Sequence, residues 1–186
     1  MSCGKTYLTE ELRALIGTTG ERVQACIWGI EKEGLRRFTQ AVMDPDPRFW
    51  DEEFARSTRY GEIVTPGIYC TYLNKPAPGS GDSVSEMFRQ NPISDGSGGG
   101  GPERGGRGSV PRVRSELVRV LNAGNEIEVL RYPRLGDVVF SQAKLANIEE
   151  RVGRDGSHML IITNENIFTN QKGEVLCITR QSSIRR

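Results

Sequence analysis

The side chains best suited to chemistry lie in one short segment near the end of the first quarter of the chain. Asp44 and Asp46 alternate with prolines in Asp44-Pro45-Asp46-Pro47. A carboxylate held in such a segment can act as a general base or orient a water molecule. Aspartate beside proline is also ordinary turn chemistry, so Asp44 can equally serve to shape the chain. Asp44 is therefore a candidate catalytic residue whose structural alternative stays open.

The single histidine, His158, follows the turn sequence Arg154-Asp155-Gly156. An isolated histidine without a carboxylate pattern nearby in the sequence is weak evidence for an acid–base site. Residues beside such turns are usually exposed. We therefore expect His158 to be a surface residue without a catalytic role.

The four cysteines show no metal-binding or disulfide pattern. Cys3, Cys26, Cys70 and Cys177 are scattered, and no two of them form a Cys-x-x-Cys pair. This spacing argues against a structural zinc site and against a disulfide framework, and it favours a reduced, cytoplasmic protein. We expect no metal, because no cluster of ligand side chains is visible in the sequence.

Charge and hydropathy exclude two classes of partner. The 25 Lys and Arg residues nearly balance the 24 Asp and Glu residues, so no global field attracts nucleic acid or an anionic membrane surface. No stretch approaches the ~20 apolar residues that a membrane span needs, and the N-terminus has no apolar signal region. The sequence predicts a protein that is neither exported nor embedded in a membrane.

The N-terminal part of the chain predicts short helices around one strand. Capping residues, acidic first turns or apolar side chains at helical spacing indicate helices over 9–15, 31–43 and 51–57. Residues 22–29 alternate between apolar and more polar side chains, as a strand does. The most apolar run, 63–73, predicts a buried element whose periodicity fits a helix and a strand alike.

Residues 74–112 have a different composition, with GSGGGGPERGGRG and several prolines but few large apolar side chains. Such a composition indicates a long flexible excursion, either a solvated loop or a lid. Phosphate binding is the remote alternative, because a nucleotide loop would end in Gly-Lys-Ser/Thr or lie between a strand and a helix.

The last third of the chain predicts an antiparallel sheet. Gly and Asn or Asp residues in Arg154-Asp155-Gly156 and Asn170-Gln171-Lys172-Gly173 indicate hairpin turns. The strand candidates are 113–132, 137–152, 158–169 and 174–184. Together with the N-terminal strand they predict one antiparallel sheet with an apolar segment lying across it, an α+β arrangement.

With its elements in this order, the chain resembles the hotdog fold of MaoC-like dehydratases, and in particular their N-terminal variety, the FAS1-like dehydratase domain. FTQAVMDPDPRFWDEEFA looks like the family's hydratase segment, whose core is Gly-Asp-x-Asn-Pro-Leu/Ile-His-x-Asp. The similar stretches are 38–55, 60–67, 121–128, 134–137 and 168–175. The resemblance implies a single hotdog domain over 1–186, in which a sheet wraps a central helix and the flexible insertion spans 74–112.

The resemblance also implies an activity, the hydration of a 2-enoyl thioester or the reverse dehydration, a lyase reaction. Family members use the Asp and the His of the hydratase segment. Here Asp44 stands at the Asp position, but Phe49 replaces the His, Asp46 the Asn and Met43 the Gly. We therefore expect this chain to shape an acyl-binding tunnel and to pair, as a heterodimer or heterotetramer, with a second hotdog subunit that brings the Asp/His pair.

The same resemblance places substrate contacts at the entry to the central helix and on the second strand. The candidates are Pro66, Gly67, Tyr69, Asn122 and Gly124. It implies no cofactor, because the substrate itself carries coenzyme A or an acyl carrier protein (ACP) as its thioester. The acyl group stays open among fatty, aromatic and steroid side chains.

Three arginines are candidate contacts for the phosphates of coenzyme A or of a pantetheine arm. Arg112, Arg114 and Arg119 cluster after the insertion, and guanidinium groups suit phosphates. A solvated strand edge explains them equally well.

Two other functions stay open. A hotdog thioesterase can use a carboxylate in place of histidine, which would make Asp44 or Asp51 the base. A non-catalytic acyl-binding or scaffold protein would be favoured if the natural protein continues beyond Arg186, since the chain stops directly after its last predicted strand.

Overall fold

The computed structural model describes residues 5–74, 83–93 and 108–186. The helices in these ranges are α1 (Glu10–Leu15), α2 (Lys32–Ala41), α3 (Glu52–Ser57), α4 (Tyr69–Leu73) and α5 (Ser83–Gln90), with a 3-10 turn at Pro47–Phe49. The strands are β1 (Val23–Gln24), β2 (Val120–Val129), β3 (Phe140–Val152), β4 (His158–Thr169) and β5 (Val175–Arg185). Helices thus precede four long strands, and the predicted α+β class is confirmed.

The strands form one antiparallel sheet in the order β1-β3-β4-β5-β2. Tight turns at Gly156 and Gly173 join β3 to β4 and β4 to β5. Both glycines have a positive φ, +78° and +79°, a conformation that glycine adopts without strain. β4 and β5 pair along nearly their whole length, which confirms the predicted antiparallel hairpins.

One face of the sheet, here called the inner face, carries two apolar clusters. Side chains of directly paired residues point to the same side of a sheet, so Phe168 and Cys177 share this face, as do Leu145 and Asn164. The first cluster packs Val139, Phe168, Leu176 and Cys177 against Tyr69 and Cys70 of α4. The second packs Leu145, Ile148, Leu160 and Ile162 against Leu8, Leu12 and Val113. Each end of the inner face is therefore covered by its own N-terminal element.

The apolar run 63–73 combines an extended part with a short helix. Val64 forms a bridge with Arg134, and α4 begins after Gly67, whose carbonyl accepts the N–H of Cys70. A Cβ atom on Gly67 would lie 2.6 Å from Cγ2 of Val129, so the missing side chain lets this turn approach β2 closely. The helix lies where the resemblance predicted the wrapped helix, but α4 itself is only five residues long.

The strand predicted over 22–29 is much shorter than expected, because β1 covers only Val23–Gln24. Its partner β3 begins at Phe140, directly opposite Gln24, so the residues that follow have no strand to pair with. Ile27 and Trp28 consequently project into solvent, and Trp28 is 71% exposed. The alternation of apolar and polar residues extends to residue 29, but strand pairing ends at Gln24.

Two parts of the predicted insertion 74–112, residues 75–82 and the Gly-rich part 94–107, lie outside the described residues. A helix, Ser83–Gln90, forms inside the insertion. Near the end of the insertion, Gly108 packs so closely on Gly20 that a Cβ atom on Gly20 would lie 2.0 Å from the Gly108 carbonyl oxygen. Glycine therefore serves close backbone packing there, and the flexibility of the insertion stays a prediction.

The strand predicted over 113–132 begins later than expected, at Val120. Val113 is buried in the apolar cluster beside α1 instead of pairing in the sheet. A buried apolar side chain in a covering segment gives the same sequence signal as one in a strand.

Candidate functional site

The segment that resembles the hydratase motif begins where α2 ends, at a left-handed residue. Met43 has φ +54°, in the region where glycine is favoured, and its side chain is 86% exposed. The family motif has glycine at this position. The backbone turn expected of a glycine is therefore present, although the residue type has changed.

The carboxylate of Asp44 serves the backbone of this turn. Its Oδ1 accepts the N–H of Asp46 at 3.1 Å, and the Asp44 N–H donates to the Thr39 carbonyl at 2.9 Å. No cationic side chain pairs with Asp44 in the described part of the chain. The geometry accounts for a turn-forming aspartate, and a catalytic role for Asp44 stays a prediction.

Phe49, at the histidine position, is part of the protein interior. Its side chain is only 5% exposed, and its ring centroid lies 6.1 Å from that of Tyr132. Tyr132 in turn packs edge-on against Tyr60, with centroids 5.4 Å apart. A phenyl ring can neither donate nor accept a proton, so the Asp/His pair of the family motif is incomplete in this segment.

Arg48 completes this group, which we call the arginine–aromatic cluster (Arg48, Phe49, Tyr60, Tyr132). The guanidinium carbon lies 5.3 Å from the centre of the Tyr132 ring, within cation–π range. Its Nε donates to Oδ2 of Asp46 at 2.9 Å. This hydrogen-bonded ion pair lowers the pKa of Asp46 and raises the pKa of Arg48. Asp46 is therefore held as a carboxylate already committed to Arg48, which makes it a poor general base.

Asp51, the alternative base, caps α3. Its Oδ1 accepts the N–H of Phe54 at 3.0 Å, as expected of an N-cap aspartate. The acidic residues that follow, Glu52 and Glu53, lie in the first turn, where the helix dipole favours negative charge. The position of Asp51 is explained by helix capping.

His158 has a carboxylate partner that its neighbouring sequence does not reveal. Its Nδ1 lies 2.9 Å from Oε1 of Glu150, across the β3–β4 hairpin, and its ring centroid is 5.3 Å from that of Tyr7. Glu150 also accepts the Thr6 hydroxyl and the N–H groups of Tyr7 and Leu8. These hydrogen bonds, the Thr6 hydroxyl first, lower the pKa of Glu150 to about 2.

His158 is more buried than the sequence predicted, because its side chain is 28% exposed and packs against Tyr7 of the N-terminal segment. The ladder pairs His158 with Val152, which brings the inner-face residue two positions earlier, Glu150, into reach. Hairpin register is the signal that could have revealed the pair. The contacts of Glu150 and His158 fasten the N-terminal segment to the sheet.

The predicted substrate contacts fall in two separate places. Pro66 and Gly67 are buried at the start of α4, with Tyr69 directly after them. Asn122 and Gly124 lie on the edge strand β2, where Oδ1 of Asn122 accepts the N–H of Gly124 and shapes a β-bulge. Pro66, Gly67 and Tyr69 thus lie together at the start of α4. Asn122 and Gly124 lie apart from them and form a bulge in β2.

Tyr69 borders an open cavity of about 600 Å³ between α4 and the segment after β1. Burial raises the pKa of Tyr69, and its ring packs edge-on against Phe38, with centroids 4.9 Å apart. A Cβ atom on Gly34 would lie 2.9 Å from the Tyr69 hydroxyl oxygen, so α2 and α4 meet here without an intervening side chain. The lining is mainly apolar and includes Ala25, Cys26, Ile27, Trp28, Tyr69 and Leu73. Such a cavity suits an acyl chain.

The three candidate arginines do not converge on one site. Arg112 and Arg114 line a groove of about 350 Å³ beside α1, together with Lys5 and Glu116. Lys5 pairs with Glu116 there. Arg119 instead pairs through its backbone with Arg186 at the end of β5.

The described residues contain neither a metal-ligand cluster nor a membrane-spanning helix. Across 5–74, 83–93 and 108–186, no three His, Cys, Asp or Glu side chains are grouped so that they could hold a metal ion. In the same ranges, no helix is long and apolar enough to cross a membrane.

Comparison with known proteins places the chain in a family. Residues 17–179 match the family model described as the FAS1-like dehydratase domain region, whereas no curated protein matches the sequence. Among solved structures, the ChsH1-ChsH2 complex from Mycobacterium tuberculosis is similar with a TM-score of 0.64 and 12% identity, over 94% of this chain and 86% of the other.

Two further solved structures share the fold. A MaoC-like dehydratase from Rhodospirillum rubrum has a TM-score of 0.53 and 20% identity, over 98% of this chain and 99% of its own. The HadBC (3R-hydroxyacyl-ACP dehydratase) complex from Mycobacterium tuberculosis has a TM-score of 0.54 and 18% identity, over 91% and 96%. With the family model covering most of its length, this chain belongs to the FAS1-like dehydratase domain family and has the hotdog fold of MaoC-like dehydratases.

Proposed function

We propose that this chain is the non-catalytic subunit of an enoyl-thioester hydratase, or 3-hydroxyacyl-thioester dehydratase, and that a second hotdog subunit supplies the catalytic Asp/His pair. The observation that carries the proposal is Phe49, buried in the arginine–aromatic cluster at the position of the motif's histidine. Hydration adds a water oxygen to C3 and a proton to C2 of the enoyl group, so it needs an acid and a base. The segment of this chain that resembles the hydratase motif lacks the histidine of the Asp/His pair.

The edge of the sheet supports the need for a partner. β2 ends the strand order, and its outer side has no partner strand among the described residues. Leu121 and Ile127 are 42% and 41% exposed on it, although exposed apolar edge strands tend to associate. Two of the similar solved structures are complexes of two named components, ChsH1-ChsH2 and HadBC. We infer that β2 contributes to the interface with the second subunit.

The role left to this chain is to bind the acyl group. The cavity beside Tyr69 is open and mainly apolar, which fits the acyl part of a coenzyme A or ACP thioester better than its phosphates. The proposed chemistry requires no further cofactor. Of the three candidate contacts near α4, Tyr69 lines this cavity, whereas Pro66 and Gly67 are buried at the start of α4 and do not line it.

Co-expression with a MaoC-like hotdog protein that carries the Asp/His pair tests the proposal. Enoyl-thioester hydration is measured for each chain alone and for the purified pair. We expect full activity only in the pair. Full activity of this chain alone would overturn the proposal, and a stable pair without hydratase activity would point to the acyl-binding scaffold.

The thioesterase alternative is tested on the same samples. It would use Asp44 or Asp51, and both carboxylates already accept backbone N–H groups. Hydrolysis of a saturated acyl thioester by this chain alone, abolished by Asp44→Asn or Asp51→Asn, would establish it. No contact in the described part of the chain favours this reaction over hydration.

A further inference from the structure

Between its two apolar clusters the inner face of the sheet is polar. Asn164, Gln181 and Asn125 are paired directly across β4, β5 and β2, so their side chains form one row on this face. The adjacent row places Asn166 beside Thr179. We call Asn125, Asn164, Asn166 and Gln181 the amide strip.

None of the four amide side chains has a hydrogen-bond partner in the described part of the chain. Asn164 and Asn166 are half-buried, and Asn125 and Gln181 are exposed. Polar side chains continue along β5 from Gln181 to Arg185. The Nε of Arg185 is buried without a partner among the described residues. The strip therefore offers donors and acceptors that the described chain does not use.

The strip lies between two covered parts of the inner face. Phe168 lies on the same face two residues from Asn166, and Ile162 two residues from Asn164, and both are covered by N-terminal elements. An apolar cover over the strip would leave each amide without partners, at a cost of about 1–3 kcal/mol per group. Whatever covers the strip in the functional state must therefore present hydrogen-bonding atoms.

The strip is also uncharged. Its two rows contain amides, Thr179 and the apolar Ala143, Leu145 and Ile127, with no charged side chain. An amide both donates and accepts, which suits a hydroxyl or keto oxygen. A carboxylate or phosphate would be left without a counter-charge in these rows.

We propose that the amide strip, which begins two residues from Phe168 in the cluster that contains Tyr69, binds the distal part of the acyl chain. It selects chains that carry their own neutral oxygen atoms, hydroxyl or keto groups remote from the thioester, over plain alkyl chains. This inference rests on the acyl-binding function proposed above. A few placed polar groups on an otherwise apolar site are the usual source of such selectivity.

The test compares N-acetylcysteamine thioesters of decanoic acid with those of hydroxydecanoic acids that carry one hydroxyl at carbon 6, 7, 8 or 9. None of these is an enoyl or a 3-hydroxyacyl substrate, so binding is measured without turnover. Dissociation constants are determined by titration calorimetry on the co-expressed pair. We expect at least one hydroxylated thioester to bind about tenfold more tightly than the decanoyl thioester, as one net hydrogen bond provides.

Variants test whether the amide strip causes the preference for hydroxylated thioesters. Asn164→Leu combined with Gln181→Leu is expected to reduce the tenfold preference to about onefold while decanoyl binding is kept or improved. The matched control is Asn147→Leu, an exposed amide on the outer face of β3, which should keep the preference. Thermal melting verifies that each variant is folded, and the comparison of ligands on the unaltered pair stands even if the double variant does not fold.

The outcomes separate the two proposals. Decanoyl binding without any preference for hydroxylated chains overturns the role of the amide strip and leaves the acyl-binding function standing. A preference that survives the double variant also overturns it. If no thioester binds, the acyl-binding function fails together with the inference.

Discussion

At the scale of single residues, Met43 is under local strain. A residue with a Cβ atom at φ +54° costs about 1–2 kcal/mol relative to its usual conformations, and the side chain is too exposed to recover that energy by packing. Met43→Gly should therefore stabilise the fold by about 0.5–1 kcal/mol, because glycine's greater freedom when unfolded offsets part of the gain. Urea unfolding measures the change.

The neighbouring residue gives the control for this prediction. Val42 is also exposed, although less than Met43, and its φ is −89°. Val42→Gly relieves no strain and should destabilise or leave the free energy of unfolding unchanged. Equal effects of the two glycines would show that Met43 is not strained.

The contacts of Asp44 favour a turn role over the catalytic role that the family motif predicts. Asp44→Asn keeps an oxygen that can accept the Asp46 N–H, so kcat/KM of the pair for enoyl-thioester hydration should stay within about threefold. The equivalent change in the partner's Asp should reduce it by about 10²-fold or more. A comparable loss from Asp44→Asn would restore Asp44 as a catalytic residue.

Glu150 makes stability depend on pH. Its folded-state pKa of about 2 lies below the ordinary 4.5, so the carboxylate stabilises the fold fully above about pH 4.5, and this stabilisation is lost as the pH falls toward 2. Glu150→Gln should cost about 1–2 kcal/mol at pH 7, and this difference should shrink between pH 4.5 and 2. Denaturant unfolding at several pH values measures it.

Glu149 provides the matched control for this effect. It lies next to Glu150 on the opposite face of β3 and pairs with Arg151 at the surface. Glu149→Gln should change stability by less than about 0.5 kcal/mol, as exposed ion pairs do. A pH-independent difference for Glu150→Gln would mean that the carboxylate charge is not what fastens the N-terminal segment.

At the scale of elements, the two edges of the sheet differ. β1 is a two-residue edge, which offers little to an incoming strand, whereas β2 has ten residues and exposed apolar side chains. Short edges discourage association and long ones promote it. β2 is therefore the edge where a second subunit would extend the sheet.

Lysines on β2 should weaken the pair without unfolding the chain. Leu121 and Ile127 lie on opposite faces of the strand, so Leu121→Lys with Ile127→Lys places a charge on both sides of the edge. We expect at least tenfold weaker association, measured by analytical ultracentrifugation. Val152→Lys, at a more exposed valine on β3, which does not end the strand order, should leave association unchanged. Unaltered pairing of the double variant would exclude this edge as the interface.

At the scale of the whole molecule, one sheet connects two apolar clusters that are covered by different N-terminal segments. The strip between them and the outer edge of β2 are left to other molecules. A partner that binds only the folded chain stabilises it by mass action, by about 2.7 kcal/mol at one hundred times Kd. Tm should then rise by about 5–10 °C and should keep rising with partner concentration.

Differential scanning fluorimetry of this chain with increasing amounts of its partner measures this shift. The Leu121→Lys, Ile127→Lys double variant serves as the control, because it should require higher partner concentrations for the same Tm. A Tm that does not change at saturating partner would contradict a partner-dependent subunit.

The sequence by itself determined the α+β class, the antiparallel hairpins and the family. These depend on local chemistry: the glycines at 156 and 173 specify their turns, Thr9 and Asp51 cap their helices, and the motif around Asp44 lies in one contiguous stretch. It also showed that a phenyl ring stands at the histidine position. No strand register is needed for any of these conclusions.

The tertiary structure decided what depends on pairing between distant residues. Only the ladders show that β1 ends at Gln24, that β2 is the open edge and that His158 meets Glu150. The amide strip likewise exists only because Asn164, Gln181 and Asn125 share a register across three strands. A shift of one residue in pairing would turn those side chains to the other face, and no local pattern in the sequence specifies that register.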